Sequence, residues 1–264
     1  MLTGRIPRSI TSLRELRSLL LHNNQIRGSL FQLALGALTK LRFLVLSNNL
    51  LSSSVPKEIA INRVVILDLS NNNLIGLLDN LFIPNKPGKC GNLSSQSNLK
   101  FLELSRNHLI GPIPISWETM TLEYLNLSRN NLVDSIPTKI SKLTELKSLD
   151  LSNNNLSGHI PEQIGNLVEL RFIKLNSNKL LGTIPNNIGN LTKITTLNLY
   201  SNTLSGHISQ ELGKLVNLEN FDLSENMLTS SIPNTLGNLT KLTDLQIFGN
   251  QLSGHIPQEL GYTW

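Results

Sequence analysis

Cysteine is nearly missing from this 264-residue chain, with Cys90 the single copy. No internal disulfide can form, and cysteine usage does not report the redox compartment. Long apolar runs are missing too. No stretch approaches the roughly 18 residues that a membrane-crossing helix needs, and the first ten residues lack the charged-then-apolar order of a secretion leader. Neither signal peptide nor anchor is expected within these residues. Blocks of like charge are also absent. The net charge of +5 and a pI near 9.4 suit acidic partners, but Lys and Arg are scattered and no run of them tracks a phosphate backbone, so nucleic acid is not the expected partner. Nucleophile motifs, a Gly-rich phosphate loop and a His-Arg-Asp segment are all missing, which points away from an enzyme and from any cofactor.

What the chain does contain is one asparagine returning in register. Asn24, Asn49, Asn72, Asn107, Asn130, Asn154, Asn178, Asn202, Asn226 and Asn250 each close a string of the form LxxLxLxxN, and from Asn130 onward every interval is 24 residues. A period in this range marks a repeat array in which each unit supplies a strand and a returning segment. Hydrophobic content of 39% is ample for such a stack, and a quasi-linear array can exceed ordinary domain size without splitting. One domain over 1–264 is expected, with an irregular insertion at about 77–98.

The unit from Leu143 to Pro161 shows the logic. Leu149 and Leu151 alternate with Ser148, Asp150 and Ser152 as a half-buried strand requires, leucines inward and the polar set outward. Asn154 follows where the chain turns away, and its amide can donate to and accept from backbone groups of neighbouring turns. Leu156, Ile160, Ile164 and Leu167 fill the interior from the returning side, while Gly158 and Pro161 bend the chain and prevent a long helix. No unit buries its apolar side alone, so strands about 4.8 Å apart must close one another.

The longer string LxxLxxLxLxxNxLxGxIP, nearly whole in Leu143–Pro161 and Leu167–Pro185, resembles the plant-specific leucine-rich repeat. It is similar to the extracellular region of plant receptor-like kinases and receptor-like proteins. The resemblance implies an α/β repeat solenoid, a right-handed superhelix of about ten to eleven repeats with a parallel concave β-sheet, in which the Gly-x-Ile-Pro tail adds a second strand. It implies that the concave face binds a peptide or protein ligand, or a co-receptor ectodomain, in cell-surface signalling or defence. Full-length relatives sit at the plasma membrane or cell wall and continue into a membrane helix and kinase. This chain departs from them: it lacks paired-cysteine caps, begins inside a unit at Leu2–Pro7 and stops inside one at Gln258–Trp264. A fragment with uncapped ends is the expectation. A secreted inhibitor of a cell-wall-degrading enzyme, or a nonfunctional remnant, would carry the same repeat.

For the binding face, Phe43, Ile66, Phe101, Tyr124 and Phe172 are expected to form an aromatic column on nearly successive concave strands, with ordinary surface variation as the plain alternative. Arg106 and Arg129 share one place in adjacent units and could converge on a carboxylate or sulfate, or stand as solvated polar residues. His159, His207 and His255 recur at one position, but two strand spacings put neighbours about 10 Å apart against metal–nitrogen bonds near 2.1 Å, so no metal is expected. Between Asn72 and Asn107 the interval grows to 35, giving either a protruding loop or a degenerate unit. Asn92, Asn126, Asn155, Asn190 and Asn238 begin Asn-x-Ser/Thr sequons, candidates for glycosylation that the repeat consensus itself also generates.

Overall fold

The computed structural model describes residues 1–33, 35–56, 63–80 and 98–262. Their contacts group into two units, Met1–Leu132 and Val133–Trp264. Both are α/β repeats built from the same parts.

In the first unit, Ser18–Leu20, Phe43–Val45, Ile66–Asp68, Phe101–Glu103 and Tyr124–Asn126 form a parallel sheet in chain order. Register is strict: Ser18 pairs with Phe43, Phe43 with Ile66, Ile66 with Phe101 and Phe101 with Tyr124. A second parallel sheet runs through Thr3–Gly4, Gln25–Ser29, Leu50–Ser53, Asn73–Leu77, His108–Gly111 and Asn131–Leu132. The second unit repeats the scheme, with Ser148–Asp150, Phe172–Lys174, Thr196–Asn198, Asn220–Asp222 and Asp244–Gln246 in one sheet. Its other sheet runs from Ser157–His159 to Gln251–Leu252.

In the strands from Phe43–Val45 to Tyr124–Asn126 and from Ser148–Asp150 to Thr196–Asn198 the middle residue points into the core: Leu44, Leu67, Leu102, Leu125, Leu149, Ile173 and Leu197 are all fully buried. Apart from the buried Thr196, the flanking positions stay partly or fully open, as a pleat with period two dictates. Return segments are short 3-10 helices such as Glu162–Asn166 and Asn186–Asn190. Their apolar residues recur every three positions. Ile164, Leu167 and Leu170 are each fully buried, and backbone bonds link Ile164 to Pro161, Leu167 to Ile164 and Leu170 to Leu167 at 2.9–3.1 Å. Three residues per turn places them on one line, where an α-helix would fan them out. Pro161 and Pro185, extended at φ −69° and −62°, start these turns. Neighbouring turns pack so closely that a Cβ on Gly189 would lie 2.5 Å from the Glu211 carbonyl oxygen.

The recurring asparagines join the rungs. Asn202 Nδ2 donates to the carbonyls of Leu175, Leu199 and Tyr200 at 3.1, 3.0 and 3.3 Å. Its Oδ1 accepts the Leu180 amide at 3.0 Å. Asn49, Asn72, Asn107, Asn130, Asn178, Asn226 and Asn250 each accept one amide from the preceding rung at 2.9–3.0 Å. Asn24 accepts Leu2 at 2.7 Å, and Asn154 donates to Leu151 at 3.1 Å. The residue before each amide takes the left-handed conformation, for example Asn153 at φ +55° and Glu225 at φ +52°.

One expectation fails here. Ser152 does not face outward: it is 5% exposed, its amide and hydroxyl donating to Asp150 Oδ1 at 3.0 and 2.7 Å. The strand has ended at Asp150, so strand alternation no longer governs the next polar residue.

The long interval adds no rung. Ile66–Asp68 pairs directly with Phe101–Glu103, and Ile75–Leu77 with His108–Ile110. The Leu74 amide bonds Asn107 Oδ1 at 3.0 Å. The ladder therefore closes across the interval, whose central residues 81–97, with Cys90 and Asn92, lie outside the described residues.

Candidate functional site

The exposed face of the first unit's five-stranded sheet is shaped by the side chains that the pleat turns away from the core. Phe43, Ile66, Phe101 and Tyr124 occupy one aligned row there, all half-buried. The rings of Phe101 and Tyr124 stack with centroids 4.1 Å apart and planes 7° from parallel. Such a pair contributes about 0.5–1.5 kcal/mol beyond its burial and presents a preformed flat surface. Phe172 belongs to the second unit, where it aligns with Ser148 and Thr196 and is 44% exposed.

Two positions along, the aligned row reads Val45, Asp68, Glu103 and Asn126, and its two carboxylates are engaged. Glu103 Oε1 accepts the Ser105 amide at 2.9 Å, while Oε2 takes Tyr124 Oη at 3.0 Å and Asn126 Nδ2 at 2.8 Å. Asp68 Oδ1 accepts the amide and hydroxyl of Ser70 at 3.0 and 2.7 Å. These bonds fix the tyrosine hydroxyl and tie each strand end to its following turn.

Arg106 and Arg129 are not on the strand face. Both are exposed and sit in the left-handed turn position at φ +53° and +55°, beyond the strands Phe101–Glu103 and Tyr124–Asn126. The sequon asparagines separate by surroundings. Asn126 has its amide nitrogen committed to Glu103 and Asn155 is half-buried. Asn190 and Asn238 are exposed at the ends of the 3-10 helices Asn186–Asn190 and Asn234–Asn238. His159 lies against Gly182, where an added Cβ would meet its ring. Among the described residues no cluster of three His, Cys, Asp or Glu side chains could hold a metal ion, and no helix is long and apolar enough to cross a membrane.

A feature hidden in the linear sequence emerges beside the apolar row. Arg17, Lys40, Arg42, Arg63 and Lys100 line one groove with Val65. Scattered over more than eighty residues, they gather because Arg17, Arg42, Val65 and Lys100 each immediately precede or adjoin a strand of the sheet and follow one another in its hydrogen-bond ladder. Superposing the units on their asparagines would have revealed the column.

Surface ion pairs recur between rungs. Lys40 meets Glu15 at 2.7 Å and Lys193 meets Glu169 at 2.6 Å. Hydrogen bonding from the lysine holds each glutamate below its ordinary pKa, with the lysine's charge adding to the effect.

A family model described as a leucine-rich repeat region matches residues 81–262, and one described as leucine rich repeat matches 40–60 and 63–84. Among solved structures, the plant peptide hormone receptor RGFR1 in complex with RGF2 is 34% identical with a TM-score of 0.87, the match covering 96% of this chain and 39% of that one. PEPR1–AtPEP1 is 30% identical with a TM-score of 0.86, covering 99% and 35%. The Arabidopsis receptor kinase HAESA, in complex with the peptide hormone IDA and the co-receptor SERK1, is 29% identical with a TM-score of 0.79, covering 98% and 46%. This chain spans less than half the length of each of these three. No curated protein sequence matches it.

Proposed function

The chain belongs to the leucine-rich-repeat family, and we propose that it is a noncatalytic recognition module, part of the ectodomain of a plant receptor-like kinase or receptor-like protein that binds a peptide or protein ligand at the cell surface. The observation that carries this reading is the row of Phe43, Ile66, Phe101 and Tyr124 on the open face of the sheet. The core does not require these side chains, since the buried positions of the same strands already fill it with leucine. Rigid aromatic surface fixed by stacking and by the tyrosine–glutamate bond costs little entropy to engage, which is what a binding hot spot needs. The matched receptors, with their peptide hormones and a co-receptor, support the same class of ligand. A single domain over 1–264, an extracellular location and contacts by Phe172, Arg106 and Arg129 belong to this proposal.

Panning a randomised peptide library on the purified chain tests it. Peptides selected on the native protein should bind the Phe101→Ala/Tyr124→Ala variant at least tenfold more weakly. Equal binding by a folded variant, or no selected peptide at all, overturns the proposed face.

A further inference from the structure

The ligand's charge can be argued further from the same face, resting on the recognition reading above. Two charged sets flank the apolar row, and they differ in whether their charge is already used. On one side the carboxylates of Asp68 and Glu103 accept hydrogen bonds from Ser70, Ser105, Tyr124 and Asn126. On the other side lies the groove of Arg17, Lys40, Arg42, Arg63 and Lys100. Lys40 is paired with Glu15 at 2.7 Å and Lys100 with Glu123 at 3.5 Å. Among the described residues no carboxylate pairs with Arg42 or Arg63, and Arg17 feels Glu15 only through space.

We propose that the groove formed by Arg17, Arg42 and Arg63 binds acidic side chains of an extended peptide whose apolar residues lie on Phe43 and Ile66. Arg42 and Phe43 are consecutive, so cation and apolar surface meet at that strand start, and Arg63 lies three residues before Ile66. Arg42 is one rung from Arg17, through the Arg42 amide to the Arg17 carbonyl at 2.8 Å, and Arg63 enters on the next rung. At about 4.8 Å per rung the three guanidinium groups belong to strands spanning roughly 10 Å, a length that accommodates two acidic side chains separated by one or two residues. Guanidinium forks favour carboxylate bidentately.

The row also argues against a uniformly charged polymer. Such a ligand would draw on a continuing run of unpaired cations, yet Glu123 ends the pre-strand column after Lys100, and Lys40 and Lys100 are already paired with Glu15 and Glu123. A short cationic stretch beside Val65 and Ile66 suits a short segment that mixes acidic with apolar positions.

The test is the composition of peptides selected on the native chain against those selected on Arg17→Gln/Arg42→Gln/Arg63→Gln. The native chain should enrich peptides with at least two Asp or Glu near an apolar residue. Those peptides should lose at least tenfold in affinity on the triple variant, and their binding should weaken as salt rises. Selected peptides without acidic enrichment, or unchanged by the triple variant, overturn the groove while leaving the aromatic face intact. Failure to select any peptide overturns both readings. An oligouronate that binds the native chain more tightly than the selected peptides, and loses that binding in the triple variant, would overturn the choice of peptide as occupant.

Discussion

Replacing Asn202 by alanine isolates what the recurring amide does. Four hydrogen bonds are lost, but not with equal consequence. The Leu175 carbonyl keeps Asn178 Nδ2 at 3.0 Å and the Leu199 carbonyl keeps Asn226 Nδ2 at 3.1 Å. The Tyr200 carbonyl keeps the Ser177 amide at 2.9 Å. The Leu180 amide, in contrast, has Asn202 Oδ1 as its partner and belongs to a fully buried residue. An orphaned buried donor costs about 1–3 kcal/mol, and the weakened bonds to carbonyls that retain partners add on the order of 1 kcal/mol together. The expected loss is about 2–4 kcal/mol, or a fall of roughly 1 M in the urea midpoint. Circular dichroism in urea measures the total, and amide exchange at Leu180 measures its location. Asn202→Asp separates the two roles: an aspartate still accepts from Leu180 but sets a carboxylate against three carbonyls. Its folded pKa is then raised, so the variant is least stable at neutral pH and regains stability as pH falls through that raised value. A loss below about 0.5 kcal/mol in the alanine variant, with Leu180 still protected, would refute the reasoning.

Gly189→Ala should destabilise by about 1–2 kcal/mol. The clash of the new Cβ with the Glu211 carbonyl at 2.5 Å outweighs the roughly 0.4–1 kcal/mol that a stiffer unfolded chain returns; thermal unfolding reads the balance. Glu169→Gln should leave the urea midpoint at pH 7 unmoved. The lowered pKa of Glu169 means its pairing with Lys193 acts above the ordinary carboxylate value and is lost as pH falls through the lowered one, but the pair is exposed and screened. Below that range, where Glu169 is protonated, the two midpoints should likewise coincide. Passage through a plant secretory pathway should place glycans on Asn190 and Asn238 and none on Asn126, whose amide nitrogen is held by Glu103 at 2.8 Å; peptide mass spectrometry decides it.

How much of this was legible in the sequence follows from which features have a period. Leu149, Asn154 and their counterparts recur at fixed offsets because each must meet its copy on the next rung, so core, strand register and amide ladder could be read directly. Ser152 could not, since strand alternation gives no warning that the chain has already turned back onto Asp150. The long interval between Asn72 and Asn107 admits two readings until the pairing of Ile66 with Phe101 shows that no rung is added. Arg106 and Arg129 share a position, as their LSRN strings say, but the position is a left-handed turn. The groove of Arg17, Arg42 and Arg63 was missed because the repeat signature leaves the residue seven before its asparagine unspecified; Arg17 and Arg42 share that place, and Arg63 joins them only through the stacking of the units.

The measurement closest to the central claim is hydrogen–deuterium exchange of the chain with and without a selected peptide bound. The account predicts new protection at Phe43–Val45, Ile66–Asp68 and Phe101–Glu103, with the 3-10 turns Glu162–Asn166 and Asn186–Asn190 unchanged. Protection confined to those turns, with the strands exchanging as before, would contradict it.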